Sequence, residues 1–370
     1  MSELRVIISG GGTGGHIFPA VSIANALREL RPDVKILFVG AEGRMEMQRV
    51  PAAGYEIVGL PVRGLLRPLW KLGNISILRD YLRSKRMVKQ TLRDFRPNVA
   101  VGVGGYASSA TLSAAYEMGI PCLIQEQNSY AGLTNKSLAR KASKICVAYE
   151  GMERFFPKDR ILLTGNPVRQ DLLNASLTRE ESAAAFGLNP SKPIVLLMGG
   201  SLGARTLNES VIRNLSRIAA SSVQFIWQTG SYYRKEIEQL IDVKGKPGNL
   251  VVTDFIGRMD QAYRAADLVI SRAGAGSISE LCLLGKPCIL VPSPNVAEDH
   301  QTKNALALVN RDAALLVRDA EAPEALIPLA LETVADADKL QQLSRNISAM
   351  ALPDSARIIA EEVVKLEFRD

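Results

Sequence analysis

Cysteine is scarce in this chain, histidine is scarcer, and no long apolar run occurs anywhere. The four cysteines, Cys122, Cys146, Cys282 and Cys288, sit inside apolar stretches such as PCLI and KICV without CxxC spacing. That pattern argues against a disulfide scaffold or a zinc site and predicts buried, reduced thiols. Aromatic residues are few, at 5%, but 47% of the 370 residues are hydrophobic and 22% charged, with no low-complexity tract, which is the composition of a globular protein and not of a disordered one. No segment reaches the roughly 20 apolar residues that span a bilayer, and no basic stretch followed by an apolar core opens the chain. A cytoplasmic protein is expected. Acidic residues are outnumbered 38 to 45, leaving a formal charge of +7; this suits an anionic partner such as nucleic acid, nucleotide or acidic lipid without choosing among them.

What the chain does have is two halves built alike. RVIIS, a helix from about Pro19 to Leu30, KILFV, VAVGV, PCLIQ and KICVA make up the first. After TGNPVR at 164–169 and a short helix near 179–186, PIVLLMGGSLGART restarts the strand, glycine turn and helix unit, followed by VQFIWQTG, LVVTDFIG, DLVISRAGAGS and PCILVPSP. Apolar strands without polar alternation imply parallel sheets covered on both faces. The expected fold is therefore α/β: two Rossmann-like, doubly wound domains facing a cleft, 1–164 and 165–351, with a C-terminal helix at about 352–370 able to pack on either half. The cleft is the expected ligand site.

Five of the six residues 10–15, GGGTGG, are glycine, and His16, one of only two histidines, follows at once. Gly10, Gly12 and Gly15 fit GxGxxG between a strand and a helix, a geometry that aims backbone N–H groups and a helix N-terminus at one anion. The pattern alone is weak. A dinucleotide with Glu42 on its ribose, another phosphate ligand, or a merely tight turn all satisfy it. GVGGYAS at 102–108 and GGSLGAR at 199–205 add further anion-ready loops, so several phosphate groups are expected, where a dehydrogenase needs only one such loop. An NAD-dependent oxidoreductase leaves GGSLGAR and GAGSISE unexplained; a noncatalytic nucleotide- or lipid-binding protein is a second rival.

GGGTGGHIFPA, GVGGYAS, QEQNSYAGLTNK, TGNPVR, GGSLGAR, DFI, RAGAGSISE and HQTKNA, in this order over residues 4 to 310, resemble the MurG-type enzymes of bacterial cell-wall synthesis. The resemblance implies a GT-B glycosyltransferase that moves N-acetylglucosamine from UDP-N-acetylglucosamine onto lipid I, making lipid II. It implies inversion at the anomeric carbon with UDP as leaving group, no cofactor and no metal held by DxD. The DAD at 336–338 reads instead as a solvated helix face.

Carried over residue by residue, the resemblance assigns the ribose hydroxyls to Glu280, whose carboxylate can accept from both, although an acid capping a helix turn explains that residue too. Ser201 meets the nucleotide phosphates with Arg169 nearby, the backbone of Ile256 meets uracil, and Ala275 lines the same site. Asn128 and either His300 or Gln301 read the sugar, the choice left open by a one-residue insertion after VPSP. Thr13, Gly14 and Gly15 contact the donor sugar and the lipid diphosphate, which Gly104, Gly105 and Tyr106 also hold. His16 is the first candidate for the base, its ordinary pKa suiting that work near neutrality, and Glu126 is the second; a histidine that only orders the loop explains His16 equally well. The chain departs from the family in carrying QEQN for HEQN, so a histidine role at Gln125 is absent.

Between Arg63 and Lys89, Leu65, Leu66, Leu69, Trp70, Ile75 and Leu78 mix with eight Lys or Arg and one acid, Asp80. Apolar residues flanked by cations suit an anionic membrane surface; an ordinary amphipathic helix packed on the sheet explains Leu78 and Leu82 as well. The lipid-linked acceptor favours peripheral binding at the cytoplasmic side of the inner membrane, with cell-wall synthesis proteins as further partners and no nucleic acid.

Overall fold

The computed structural model describes residues 3–64, 73–168, 172, 177–200 and 202–367. The chain divides into two units, Met1–Arg169 with Leu352–Asp370, and Gln170–Ala351. The sequence suggests a boundary at 164, but Asn166 donates to the Gln127 carbonyl at 3.0 Å and accepts from Gln125 at 2.9 Å, bonds that tie residues 164–168 to the first unit.

In the first unit, β1 (Arg5–Ser9), β2 (Lys35–Ala41), β3 (Glu56–Leu60), β4 (Val99–Gly102), β5 (Cys122–Glu126), β6 (Lys144–Val147) and β7 (Ile161–Leu163) form one parallel sheet in the order β3-β2-β1-β4-β5-β6-β7. Its helices are α1 (Gly14–Leu30), α2 (Glu46–Ala52), α3 (Gly73–Phe95), α4 (Tyr106–Glu117) and α5 (Leu133–Leu138). Both faces of the sheet are covered. Ile7, Ala100 and Ile124 point into a core shared with Val88 and Leu92 of α3 and Leu112 of α4, whereas Val6, Ile8 and Val101 point the other way, toward Ile23 and Leu27 of α1. The chain's last helix, Ser355–Glu367, buries Ile359, Ala360 and Val363 in that second core. Arg31 pairs with Glu367 at 3.3 Å beside them.

Helix α1 starts at Gly14, five residues before the start read from Pro19. A proline inside a helix loses the bond to the carbonyl four residues back. Here that partner is Gly15, in the first turn, so the loss is confined to the helix end.

The second unit repeats the plan with β8 (Ile194–Met198), β9 (Gln224–Gln228), β10 (Leu250–Thr253), β11 (Leu268–Ser271), β12 (Cys288–Leu290) and β13 (Leu315–Leu316) in the order β10-β9-β8-β11-β12-β13. Around it lie α6 (Arg179–Ala184), α7 (Arg205–Arg213), α8 (Leu215–Ala220), α9 (Arg234–Lys244), α10 (Met259–Ala265), α11 (Ala275–Leu284), α12 (His300–Val309), α13 (Ala322–Ala335) and α14 (Ala337–Ser348). Asp336 of the DAD stretch is the N-cap of α14, accepting from the Lys339 amide at 2.9 Å. The run is therefore a break between two helices and not one continuous helical face.

All four cysteines are buried free thiols, and burial pushes Cys122, Cys146 and Cys282 up to about 12. Among the described residues no helix is long and apolar enough to cross a membrane.

Candidate functional site

In each sheet the strand order reverses once, between β1 and β4 and between β8 and β11. Two loops diverge beyond the carboxyl ends of the strands at such a point and leave a crevice there. The four glycine-rich loops leave from these four strands, GGGTGG after β1, GVGG after β4, GGSLG after β8 and RAGAG after β11. Registers Ser9↔Gly102 and Met198↔Ser271 bring both strand ends of each pair out at one level. The sequence offers the loops singly; the topology sorts them into one pair per unit.

In the first unit the pair is in backbone contact. Gly104 and Gly105 have φ of 102° and 87°, a region that disfavours side chains. A Cβ on Gly105 would lie 2.7 Å from the Gly11 carbonyl oxygen, and one on Gly104 would lie 2.8 Å from His16 Nε2. This brings His16, Gly104, Gly105 and the start of α1 together. Nδ1 of His16 lies 2.9 Å from the Gly11 carbonyl oxygen. A carbonyl can only accept, so Nδ1 carries a proton, and in the neutral ring the lone pair then falls on Nε2, the nitrogen beside Gly104. Thr13 is the N-cap of α1 but makes no side-chain cap, and the first amides of a helix have no partner within it. Tyr106 opens α4 and is 53% exposed.

Two carboxylates brace this corner. Glu126 is 1% exposed. It accepts from the amide of Asn128 at 3.0 Å and its side chain at 3.3 Å, and from the Gly132 amide at 3.0 Å and the Asn135 side chain at 2.9 Å. Four donors on one carboxylate make it the organiser of the 127–135 loop. Asn128 is held in the same network. The second, Glu46, carries no sequence signal. It is fully buried beneath the first loop and accepts from the Gly12 and Ala41 amides, each at 3.0 Å. Gln125, where the family carries histidine, is buried and bonded to Asn166 and Gln127, and Gln127 donates on to the Val103 carbonyl at 2.7 Å.

In the second unit, Glu280 lies in the second turn of α11 and is therefore not a helix cap; its carboxylate accepts from Tyr263 Oη of α10 at 2.8 Å. Tyr263 is buried and was not flagged by any motif. Ile256 is buried just ahead of α10, which agrees with a side chain that serves as core. Ala275 is the first residue of α11, behind an N-cap, Gly274, that lacks a side-chain cap.

Asp319 ties the two loops of this unit together. It pairs with Arg272 of the RAGAG loop and accepts from Thr206 Oγ1 of α7 at 2.9 Å. His300 and Gln301 open α12, and the Gln301 side-chain oxygen accepts from the Ser293 amide at 2.8 Å, joining it to the VPSP turn. Glu42 directly follows β2 in the first unit.

Arg169, Ser201, Leu65, Leu66, Leu69 and Trp70 lie outside the described residues. Ile75 lies on α3, and the structure decides the alternative for its neighbours: Ile75, Leu78 and Leu82 are 69, 59 and 51% exposed, so they form an outward ridge and are not packed on the sheet. Arg79, Arg83 and Arg86 are exposed on the same helix.

Residues 6–147 match the glycosyltransferase family 28 N-terminal domain and residues 194–359 the C-terminal domain of the same family. The chain is 65% identical to the UDP-N-acetylglucosamine--N-acetylmuramyl-(pentapeptide) pyrophosphoryl-undecaprenol N-acetylglucosamine transferase of Bacteroides fragilis, over 98% of this chain and 96% of that one. It is 56% identical to the protein of the same name from Porphyromonas gingivalis, over 99% and 96%. Among solved structures, Acinetobacter baumannii MurG superposes with a TM-score of 0.78 at 28% identity, covering 98% of this chain and 99% of that one. The calicheamicin glycosyltransferase CalG4, at 15% identity and a TM-score of 0.72 over 99% and 98%, shows a likeness of fold alone.

Proposed function

The chain belongs to glycosyltransferase family 28, and on that premise we propose how its residues divide the work of its reaction. It is an N-acetylglucosaminyltransferase of peptidoglycan synthesis, moving N-acetylglucosamine from UDP-N-acetylglucosamine to lipid I and so forming lipid II.

The acceptor hydroxyl oxygen attacks the anomeric carbon as the bond from that carbon to the UDP oxygen breaks. The electron pair leaves with UDP and the configuration inverts. The hydroxyl proton goes to Nε2 of His16, the observation that carries this reading being the Nδ1 contact to the Gly11 carbonyl that fixes the tautomer. Glu126, saturated by four donors, shapes the loop bearing Asn128 and leaves the proton to His16. The uncapped first turn of α1, with Thr13, Gly14 and Gly15, and the Gly104, Gly105 and Tyr106 turn supply donors for the acceptor diphosphate. In the second unit, Glu280 takes the ribose hydroxyls, with Ala275 and the backbone at Ile256 beside the nucleoside. Ser201, Arg169 and the amino end of α7 neutralise the leaving diphosphate without a bridging metal, and His300 and Gln301 complete the sugar subsite.

The ridge of Ile75, Leu78 and Leu82 beside Arg79, Arg83 and Arg86 supports peripheral binding to the anionic cytoplasmic leaflet, where the lipid acceptor and other cell-wall synthesis proteins are met. The test of the catalytic assignment is His16→Ala on a soluble lipid I analogue. Turnover should fall about 10²- to 10⁴-fold with little change in donor affinity; near-normal turnover would reduce His16 to a structural role.

A further inference from the structure

At the amino-terminal edge of the second unit's sheet, the edge opposite the glycine loops, lies an open hollow of about 390 Å³. Its polar lining is Lys286 and Asp267, just ahead of β12 and β11, with Arg179, Gln341 and Ser344, and Leu340 is part of its apolar wall. The charges do not balance inside it. Asp267 is closed on its own partners, accepting from the two terminal nitrogens of Arg179 at 2.7 and 2.8 Å and from the Ile194 amide at 2.8 Å. Lys286, partly buried, donates to the Ala266 carbonyl at 2.7 Å and forms no ion pair among the described residues. Burial pushes its ammonium down to about 8, with Asp267 opposing the fall and Arg264 and Arg179 adding to it. A desolvated ammonium whose nearby carboxylate is already engaged by Arg179 is costly to keep, and no step of the glycosyl transfer uses it.

We propose that this hollow binds a small organic oxyanion, a phosphate or carboxylate group seated on Lys286 with its carbon body along Leu340. The hollow is open to solvent on one side, with room for a small anion against Lys286. Lys286 supplies the charge that Asp267 leaves uncompensated, and Gln341 supplies a neutral polar contact, whereas the Ser344 hydroxyl already donates to the Gly285 carbonyl at 2.8 Å. Occupancy raises the affinity of Lys286 for its proton, so binding takes up protons near pH 8.

The test uses the full-length protein with UDP held saturating, so that phosphate cannot report from the nucleotide loops. Trace acetic anhydride labels amines in their neutral form, and mass spectrometry reads Lys286. Inorganic phosphate in one arm and succinate in the other should lower labelling of Lys286 severalfold and saturably while leaving surface lysines unchanged; the arm that protects at the lower concentration identifies the group. Lys286→Met, which keeps the apolar stem and removes the unpaired charge, should melt at or above the parent temperature at pH 7 and lose the anion-induced rise in Tm, whereas Lys286→Arg should retain that rise. Absence of protection by both anions overturns the proposal, as does an undiminished anion response in Lys286→Met.

Discussion

At the scale of single residues, the groups that sequence motifs miss are those that hold the motif residues in place. Glu280 stands in GAGSISE, but the hydroxyl that fixes it belongs to Tyr263, whose only signal was an apolar position in a short helix. Tyr263→Phe should keep the ring in the core and remove one hydrogen bond to a charged acceptor, an interaction worth about 1.5–3 kcal/mol. That loss falls first on the folded state and should lower the melting temperature, and because Glu280 is then less firmly held, calorimetric titration of UDP should show affinity weakened by up to about one decade; unaltered UDP binding would detach Tyr263 from the site. Glu46 was invisible for a related reason. It sits in GRMEMQ with no pattern around it, and only the fold turns its carboxylate under Gly12. His16 stands out in the sequence because histidine is rare and adjoins the glycines, but only the fold shows its Nδ1 beside the Gly11 carbonyl.

At the scale of elements, the central strands were readable because burial on both faces leaves near-continuous apolar runs, as in VAVG and IVLLM. Strands β3, β7 and β13 carry too little signal in sequence: EIVGL is half-exposed at the sheet edge, ILL is three residues long and LL only two. Helix α3 shows what composition alone leaves undecided. Its apolar residues serve two faces, Ile77, Val88 and Leu92 inward and Ile75, Leu78 and Leu82 outward. Replacing Leu78 and Leu82 together by Ser should lower partition onto anionic vesicles without altering UDP affinity; flotation equal to the parent's removes the ridge from membrane contact. The same helix is tied to α4 by Lys85 and Lys89, which pair with Glu117 and hold its carboxyl down to about 2. The folded value lies below the ordinary 4.5, so this contribution is fully present above about pH 4.5 and is lost as pH falls toward 2. The pair is exposed, which limits it to less than about 1 kcal/mol. Urea midpoints of the parent and Glu117→Gln should differ slightly at pH 6 and converge near pH 2.

At the scale of the whole molecule, the two units share a plan but differ in how the chain supplies them. The second is one continuous stretch, Gln170–Ala351, whereas the first needs Leu352–Asp370 as well. The sequence showed a helix there but left its partner open, because an amphipathic stripe names no surface. Ile359, Ala360 and Val363 are fully buried against α1, so Ile359→Ala should cost the first unit about 2–5 kcal/mol, as large-to-small core changes do. A chain ended at residue 351 should lose protection from proteolysis in the first unit while the second keeps its own. During synthesis, then, the amino-terminal unit cannot complete its core until residue 367 has cleared the ribosome, well after the carboxyl-terminal unit has everything it needs. The half made first is finished last, and its open α1 face must be guarded from aggregation throughout translation.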